Sequence, residues 1–146
     1  MTNFRKVRKI MAKNKKINYV YAVGRRKSAS ARVRLYKGKG ESTVNGFPVK
    51  KYFGYAMDQA AWAKPFGVLD VSDKYYVTVK VAGGGKSGQL EAIVHGISRA
   101  LAKENKEKFR PALKKAGLLT RDSRVRERRK VGTGGKASRK KQSPKR

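Results

Sequence analysis

The sequence predicts an α+β domain in which one sheet is covered on one face by helices. Alternating apolar runs typical of strands occupy the first half of the chain, and the clearest helical patterns follow them. Most of the apolar and acidic residues lie between two strongly basic ends. We therefore divide the chain into a basic N-terminal extension (1–18), a globular domain (19–118) and an extended basic C-terminal tail (119–146).

The first predicted element is a β-hairpin. Residues 19–23 form an apolar run of β-forming residues, and residues 29–36 alternate between apolar and polar side chains. Residues 24–28 are then expected to form the turn between the two strands.

A second, shorter hairpin is expected next. Residues 41–45 read as a strand, and Asn45-Gly46 is a strong signal for a tight turn. Residues 47–49 would return from that turn at the edge of the sheet, because Pro48 has no N–H to donate to a neighbouring strand.

Helices and one more strand complete the domain. Residues 51–64 have near-helical spacing and are expected to end at Pro65, whereas residues 75–81 alternate as a strand. The best helix starts at Ser87, which we interpret as its N-cap. Its apolar stripe comprises Leu90, Ile93, Val94, Ile97 and Leu101. A short last helix is expected over 105–116, ending at Gly117.

The charge of the chain restricts its partners. The 146 residues include 39 Lys and Arg against 9 Asp and Glu, which gives a net charge of +30. Such a chain repels itself and is typical of proteins that bind a dense polyanion. Cysteine is absent and there is one histidine, so the composition excludes disulfides, thiolate catalysis and a two-histidine zinc site. We expect no enzymatic activity, no cofactor, no metal site and no small-molecule substrate.

A glycine-rich turn at residues 83–88 imitates two nucleotide-binding motifs. It satisfies G-x-G-x-x-G literally, but no parallel strand with a ribose-binding acid follows it. It also ends in Gly85-Lys86-Ser87 like a P-loop, but Lys80 occupies the position of the first P-loop glycine. Two interpretations stay open: a phosphate cradle at a helix N-terminus, with Lys86 adding charge, or glycines that let helix and sheet pack closely.

The basic side chains around the first hairpin are the clearest functional signal. Arg25, Arg26 and Lys27 lie at the expected turn, and Arg32 with Arg34 extends the charge along one face of a strand. Contacts from such residues to phosphates give affinity without sequence information. The nearby aromatic residues could stack on bases, but we favour packing for them, and for His95 we favour a packing or capping role. These aromatic residues are Tyr19, Tyr21, Tyr36, Tyr52, Phe53 and Tyr55.

Several motifs in order resemble the S-nine family of small-subunit ribosomal proteins. Residues 21–33 (YAVGRRKSASARV) resemble its opening signature, and Val44-Asn45-Gly46 with Tyr52-Phe53 resembles its next element. Residues 83–89 and 96–101 are similar to its glycine turn and long helix. Residues 118–130 and 142–146 are similar to the start and end of its tail.

The resemblance implies a structural constituent of the small ribosomal subunit that acts in translation. It implies the two-layer α+β fold of the second domain of ribosomal protein S-five, with a left-handed crossover. It also implies a place in the head of the subunit, on the 3′ major domain of the small-subunit rRNA and beside other head proteins. The tail would reach the anticodon stem-loop of P-site tRNA through Lys145 and Arg146. The expected rRNA-binding residues are Arg25, Arg26, Lys27, Arg32, Arg34, Lys86, Arg99, Arg121, Arg124, Arg128, Arg129 and Lys130.

Two alternative functions are kept. One is a protein that compacts free DNA or RNA without residing on ribosomes, and the other is a membrane-surface protein, for which neither arm has the required amphipathic helix. We expect a cytoplasmic ribosome, with an organellar ribosome as the alternative. The chain also departs from the family pattern, because Pro144 precedes the terminal pair and residues 1–18 extend beyond the common start.

Overall fold

A five-stranded sheet with helices packed on one side forms the body of the protein. The computed structural model describes residues 18–128. The strands are β1 (Tyr19–Arg26), β2 (Ala29–Lys37), β3 (Thr43–Val44), β4 (Phe47–Pro48) and β5 (Tyr75–Ala82), and they lie in the order β1-β2-β5-β3-β4. The helices are α1 (Val49–Tyr52), α2 (Ala56–Leu69), α3 (Lys86–Glu104) and α4 (Lys106–Lys115). The predicted α+β class is confirmed. The likeness to ribosomal protein S-five and its left-handed crossover stay predictions.

The first hairpin is longer than the sequence pattern suggested. β1 pairs antiparallel with β2 from Tyr19↔Tyr36 to Arg26↔Ala29, so the turn is Lys27-Ser28 and the expected turn over 24–28 is wrong. Lys27 has a positive φ of 51°, as a tight hairpin turn requires. Gly24 lies inside the strand, where it allows a close approach of α3.

The second hairpin confirms the Asn45-Gly46 turn and the edge position of Pro48. β3 pairs antiparallel with β4 and parallel with β5, and β4 is the last strand of the sheet. The Asn45 side chain acts as an extra rung of the ladder: its amide donates to Val81 O at 3.0 Å and its oxygen accepts from Val81 N at 2.9 Å.

The helix expected over 51–64 is two helices in the structure. The chain turns at residues 53–55, where Phe53 is 1% exposed and inserts into the core. α2 then continues through Pro65 to Leu69, so the expected stop at Pro65 is wrong. Pro65 and its neighbour Phe66 are buried, and we infer that their burial offsets the hydrogen bond that proline cannot donate.

The core lies between the inner face of the sheet and the helices. Alternate residues of β2 and β5 point inward and are fully buried, among them Val33, Val77 and Val79. Against them lies the predicted apolar stripe of α3, with Ile93, Ile97 and Leu101 fully buried. α3 starts at Lys86 with Gly85 as its N-cap, so the assignment of Ser87 to that position is wrong. The α4 prediction holds, with Asn105 as N-cap and Gly117 in the left-handed region.

Within residues 18–128, none of the helices is long and apolar enough to span a membrane.

Candidate nucleic-acid interface

Among residues 18–128, the helices leave one face of the sheet uncovered. We call its part on the three long strands the outer face, and this part consists of Tyr19, Tyr21, Val23 and Arg25 of β1, Ser30, Arg32, Arg34 and Tyr36 of β2, and Tyr76, Thr78, Lys80 and Ala82 of β5. In the pairing, Arg32 lies directly opposite Lys80 of β5 on one side and Val23 of β1 on the other. Like charges placed opposite each other repel, so this row favours an anion above it.

The charge on the outer face has one sign. Arg25, Arg32, Arg34 and Lys80 are all exposed, and the twelve residues of this face in the described sheet include no acid. The alternation that the sequence predicted for β2 therefore places Arg32 and Arg34 where they were expected. Lys80 was not among the expected binding residues, although its outward position in the alternation of β5 could have identified it.

A row of tyrosines borders these cations. The rings of Tyr36 and Tyr76 stack at 5.0 Å with an angle of 11° between their planes, and Tyr19 tilts against Tyr36 at 5.5 Å. The Arg34 guanidinium lies 5.2 Å from the centre of the Tyr19 ring. Since the rings cover one another's faces, this row supports the packing interpretation over base stacking. Tyr21 and Tyr55 differ from it, being 44% and 79% exposed.

The three basic residues at the β1–β2 turn do not share one environment. Arg25 and Lys27 are exposed, whereas the Arg26 side chain is 9% exposed because alternation along β1 points it toward the helices. Its guanidinium forms an ion pair with Glu91 of α3. A second nitrogen donates to the carbonyl oxygen of Arg124 at 2.6 Å, and the third lies 3.3 Å from Asp122 Oδ2. The sequence groups Arg26 with Arg25 and Lys27, but the structure gives it protein partners.

The start of the tail is held to the body by this cluster. Asp122 accepts a forked contact from the Arg124 side chain, with 2.7 Å between Arg124 Nη2 and Asp122 Oδ2. Hydrogen bonds from Arg124 are the main reason that the pKa of Asp122 is held well below its usual range, and Arg26 adds to the effect. Asp122 is therefore ionised at neutral pH. We call Arg26, Glu91, Asp122 and Arg124 the Arg26 cluster.

His95 makes a second contact to the same segment. Its Nε2 lies 3.3 Å from the carbonyl oxygen of Leu119, and Nδ1 is buried with no hydrogen-bond partner among the described residues. Burial lowers the pKa of His95, opposed by the hydrogen bond to Leu119, and the charges of Arg99 and Arg121 lower it further. The histidine is thus neutral at pH 7 and donates from Nε2, which agrees with the packing role favoured from the sequence.

Two glycines of the glycine-rich turn pack closely against the neighbouring hairpin. Gly83 and Gly84 have positive φ values of 76° and 66°, and an added Cβ on Gly83 would lie 2.6 Å from the carbonyl oxygen of Ser28. Lys86 folds back, with Nζ 3.3 Å from the centre of the Tyr52 ring and 3.3 Å from its carbonyl oxygen. These contacts favour the interpretation that the glycines serve packing, and a phosphate at Lys86 would have to compete with Tyr52.

Arg99 protects the edge of the sheet. Its Nη1 donates to Val23 O at 2.5 Å, and one turn later Lys103 Nζ donates to Tyr21 O at 2.9 Å. β1 is an edge strand, so these cations satisfy carbonyl groups that could otherwise pair with another chain. Sequence reasoning missed Lys103, although its spacing of four residues from Arg99 on one helix was visible.

The remaining expected binding residues lie in the tail. Arg121, Arg124 and Arg128 are exposed. Arg129, Lys130, Lys145 and Arg146 lie outside the described residues.

Comparison with known proteins decides the family. The family model described as Ribosomal protein S9/S16 matches residues 24–146. The chain belongs to this ribosomal protein family. It is 51% identical over 113 residues to the small ribosomal subunit protein uS9 of Anaeromyxobacter sp. (strain K), covering 77% of this chain and 86% of that protein.

Other relatives give the same result. The protein of the same name from Desulfovibrio desulfuricans is 49% identical over 114 residues, covering 78% of this chain and 87% of the relative. The protein of Lawsonia intracellularis is 49% identical over 112 residues, covering 77% of this chain and 85% of the relative. The chain is thus a small-subunit ribosomal protein, which confirms the resemblance and the ribosomal location expected from the sequence. The family is not a class of enzymes.

Proposed function

We propose that the chain anchors to small-subunit rRNA through the outer face and the β1–β2 turn, and that its tail reaches P-site tRNA. The observation that carries the first part is the outer face itself. Arg25, Arg32, Arg34 and Lys80 project from one sheet, none of the twelve described residues of this face is acidic, and the helices pack on the opposite side. Strands fix the spacing of these charges, so phosphates can be bound with little further ordering of the protein.

The outer face is also suited to RNA rather than to an apolar partner. The tyrosine row supports Arg34 from the side, since its guanidinium lies against the Tyr19 ring while its charge remains exposed. Arginine binds phosphate through a planar fork, which a side chain held on an aromatic surface presents in a fixed orientation. On this proposal the 3′ major domain of the rRNA lies across β1, β2 and β5, with Lys27 at one end.

The test is the salt dependence of binding to a fragment of the 3′ major domain. Arg32→Met with Arg34→Met should lower the slope of log affinity against log salt by about 2, because each phosphate contact contributes about 1. A charge-matched control, Lys108→Met with Lys114→Met, removes two exposed cations from α4 on the opposite layer. An equal loss of slope in both double variants would contradict the proposal.

The tail requires its own test. Lys145→Ala with Arg146→Ala should leave incorporation into subunits unchanged and weaken P-site tRNA binding. Lys140→Ala with Lys141→Ala is the charge-matched control. Unchanged tRNA affinity in the terminal variant would refute the tail role.

Compaction of free nucleic acid is the second candidate, and the charge of +30 favours it equally well. Sedimentation of tagged protein from a lysate separates the two. We expect it to follow the small subunit after a high-salt wash. A protein that spreads over all nucleic acid and is removed by salt would support the rival function.

A further inference from the structure

We propose that Arg26 is a positioning residue for the tail and not an rRNA contact. This inference rests on the proposed reach of the tail to tRNA. Arg26 is expected by its sequence position to bind phosphate, yet each nitrogen of its guanidinium has a protein partner: Glu91, the carbonyl oxygen of Arg124 and Asp122. With a side chain 9% exposed, it offers an rRNA phosphate little access.

The Arg26 cluster joins three different parts of the chain. Arg26 ends β1, Glu91 lies on α3, and Asp122 and Arg124 lie beyond the last helix. The guanidinium fork therefore joins the sheet and the long helix to the segment of residues 119–124, which we call the tail root. The geometry needs arginine, because a lysine ammonium cannot present nitrogens in three fixed directions.

Other contacts also hold the tail root, or the residue just before it, against the body. His95 Nε2 holds the carbonyl oxygen of Leu119, and Leu118 N donates to Leu113 O at 3.1 Å, closing the end of α4. The forked Asp122–Arg124 contact stiffens the root itself. These contacts fix the direction in which the chain leaves the body at Arg124.

A fixed direction of exit matters for a tethered binding element. The effective concentration of a tethered group at its target depends on which directions its tether can explore. A loose root would let the tail sample directions away from the tRNA, so affinity would fall although no tRNA contact had been removed. The same loosening would leave the outer face, and hence the attachment to rRNA, unaffected.

The decisive variant is Glu91→Gln with Asp122→Asn in the full chain. It removes both acidic partners of Arg26 and raises the positive charge. If Arg26 were a phosphate contact, freeing it would strengthen rRNA binding and leave the tRNA affinity unchanged. On our proposal, incorporation into subunits stays equal while P-site tRNA affinity falls about three- to tenfold. Glu41→Gln with Asp73→Asn, at two exposed loop positions, is the charge-matched control.

A readout without tRNA keeps the two proposals separate. The heteronuclear NOE of the backbone amides of residues 119–124 should fall in the Glu91/Asp122 variant and in Arg26→Lys, but not in the control. Unchanged NOE values in the Glu91/Asp122 variant would overturn the inference. It would also be overturned if that variant had a mobile root but bound tRNA as tightly as wild type, while the Lys145/Arg146 variant bound tRNA weakly. If neither the Glu91/Asp122 variant nor the Lys145/Arg146 variant changes the affinity for tRNA, the proposed tail function fails. A fall in the NOE of residues 119–124 would then still support Arg26 as the anchor of the root.

Discussion

Gly24 of β1 lies directly against the backbone of Gly96 in α3. A Cβ added to Gly24 would lie 2.5 Å from Gly96 N and 2.9 Å from Gly96 Cα, and closer still to the carbonyl oxygen of Ala92. On the other side, a Cβ on Gly96 would lie 2.7 Å from a methyl of Val33. This pair of glycines sets the distance between the long helix and the sheet.

Gly24→Ala should therefore destabilise the domain by about 3 kcal/mol, because the obstructing atoms are backbone and cannot rotate away. Gly67→Ala is the matched control: the position is helical, and within residues 18–128 its added Cβ meets no atom within 4 Å apart from its chain neighbours and the backbone of its own helix. That variant should gain about 0.5 to 1 kcal/mol. Urea unfolding of both measures the difference, and equal stability would refute the close packing of α3 on β1.

Asn45 should be essential to the second hairpin. It adopts a positive φ of 51° and makes two hydrogen bonds to the backbone of Val81. Asn45→Ala loses both bonds and is strained at that φ, so we expect a cost of about 2 kcal/mol in urea unfolding. Asn45→Asp keeps the acceptor but places a carboxylate oxygen against Val81 O. If Asn45→Ala unfolded at the same urea concentration as wild type, the extra rung would contribute little.

Lys27 allows stability and binding to be separated. Its φ of 51° is one that glycine adopts without strain, so Lys27→Gly should raise the free energy of unfolding by about 1 kcal/mol. The same change removes an exposed charge at the end of the outer face and should weaken binding to the rRNA fragment. Lys27→Asn, which tolerates this conformation and also lacks the charge, serves as the control. A variant that binds rRNA as tightly as wild type would exclude Lys27 from the interface.

His95 should make stability depend on pH near neutrality. Its pKa is lowered in the folded state, so the unfolded chain takes up a proton first as the pH falls through the ordinary value of about 6.5. The free energy of unfolding should thus be highest above that pH and fall below it. The chain has one histidine, so His95→Gln should flatten the profile between about pH 5.5 and 7. A wild-type profile already flat there would contradict the assignment.

Local periodicity explains what the sequence could predict of the fold. The alternation of β5 and the apolar stripe of α3 each indicate one buried face, and the structure confirms both elements. Gly24 was misread because a glycine that permits close approach has the same appearance in sequence as one that makes a turn. Pro65 was misread because its local cost is outweighed by a core that the local pattern does not contain.

The same limit applies to the candidate site. Arg32 and Arg34 could be placed on an exposed face because they lie well inside a strand with clear alternation. Arg25 and Arg26 could not be told apart, since separating them requires knowing that β1 continues to Arg26 and that Glu91 and Asp122 converge on its inner side. Those partners are 65 and 96 residues away along the chain.

The central claim is that rRNA lies across the outer face, and site-specific crosslinking tests it most directly. A photoreactive residue placed at position 34 in the full chain, assembled into small subunits, should crosslink to small-subunit rRNA. The same residue at position 108, exposed on α4, should give much less rRNA crosslinking. The account would be contradicted if position 108 crosslinked strongly to rRNA while position 34 crosslinked only to protein or gave no crosslink.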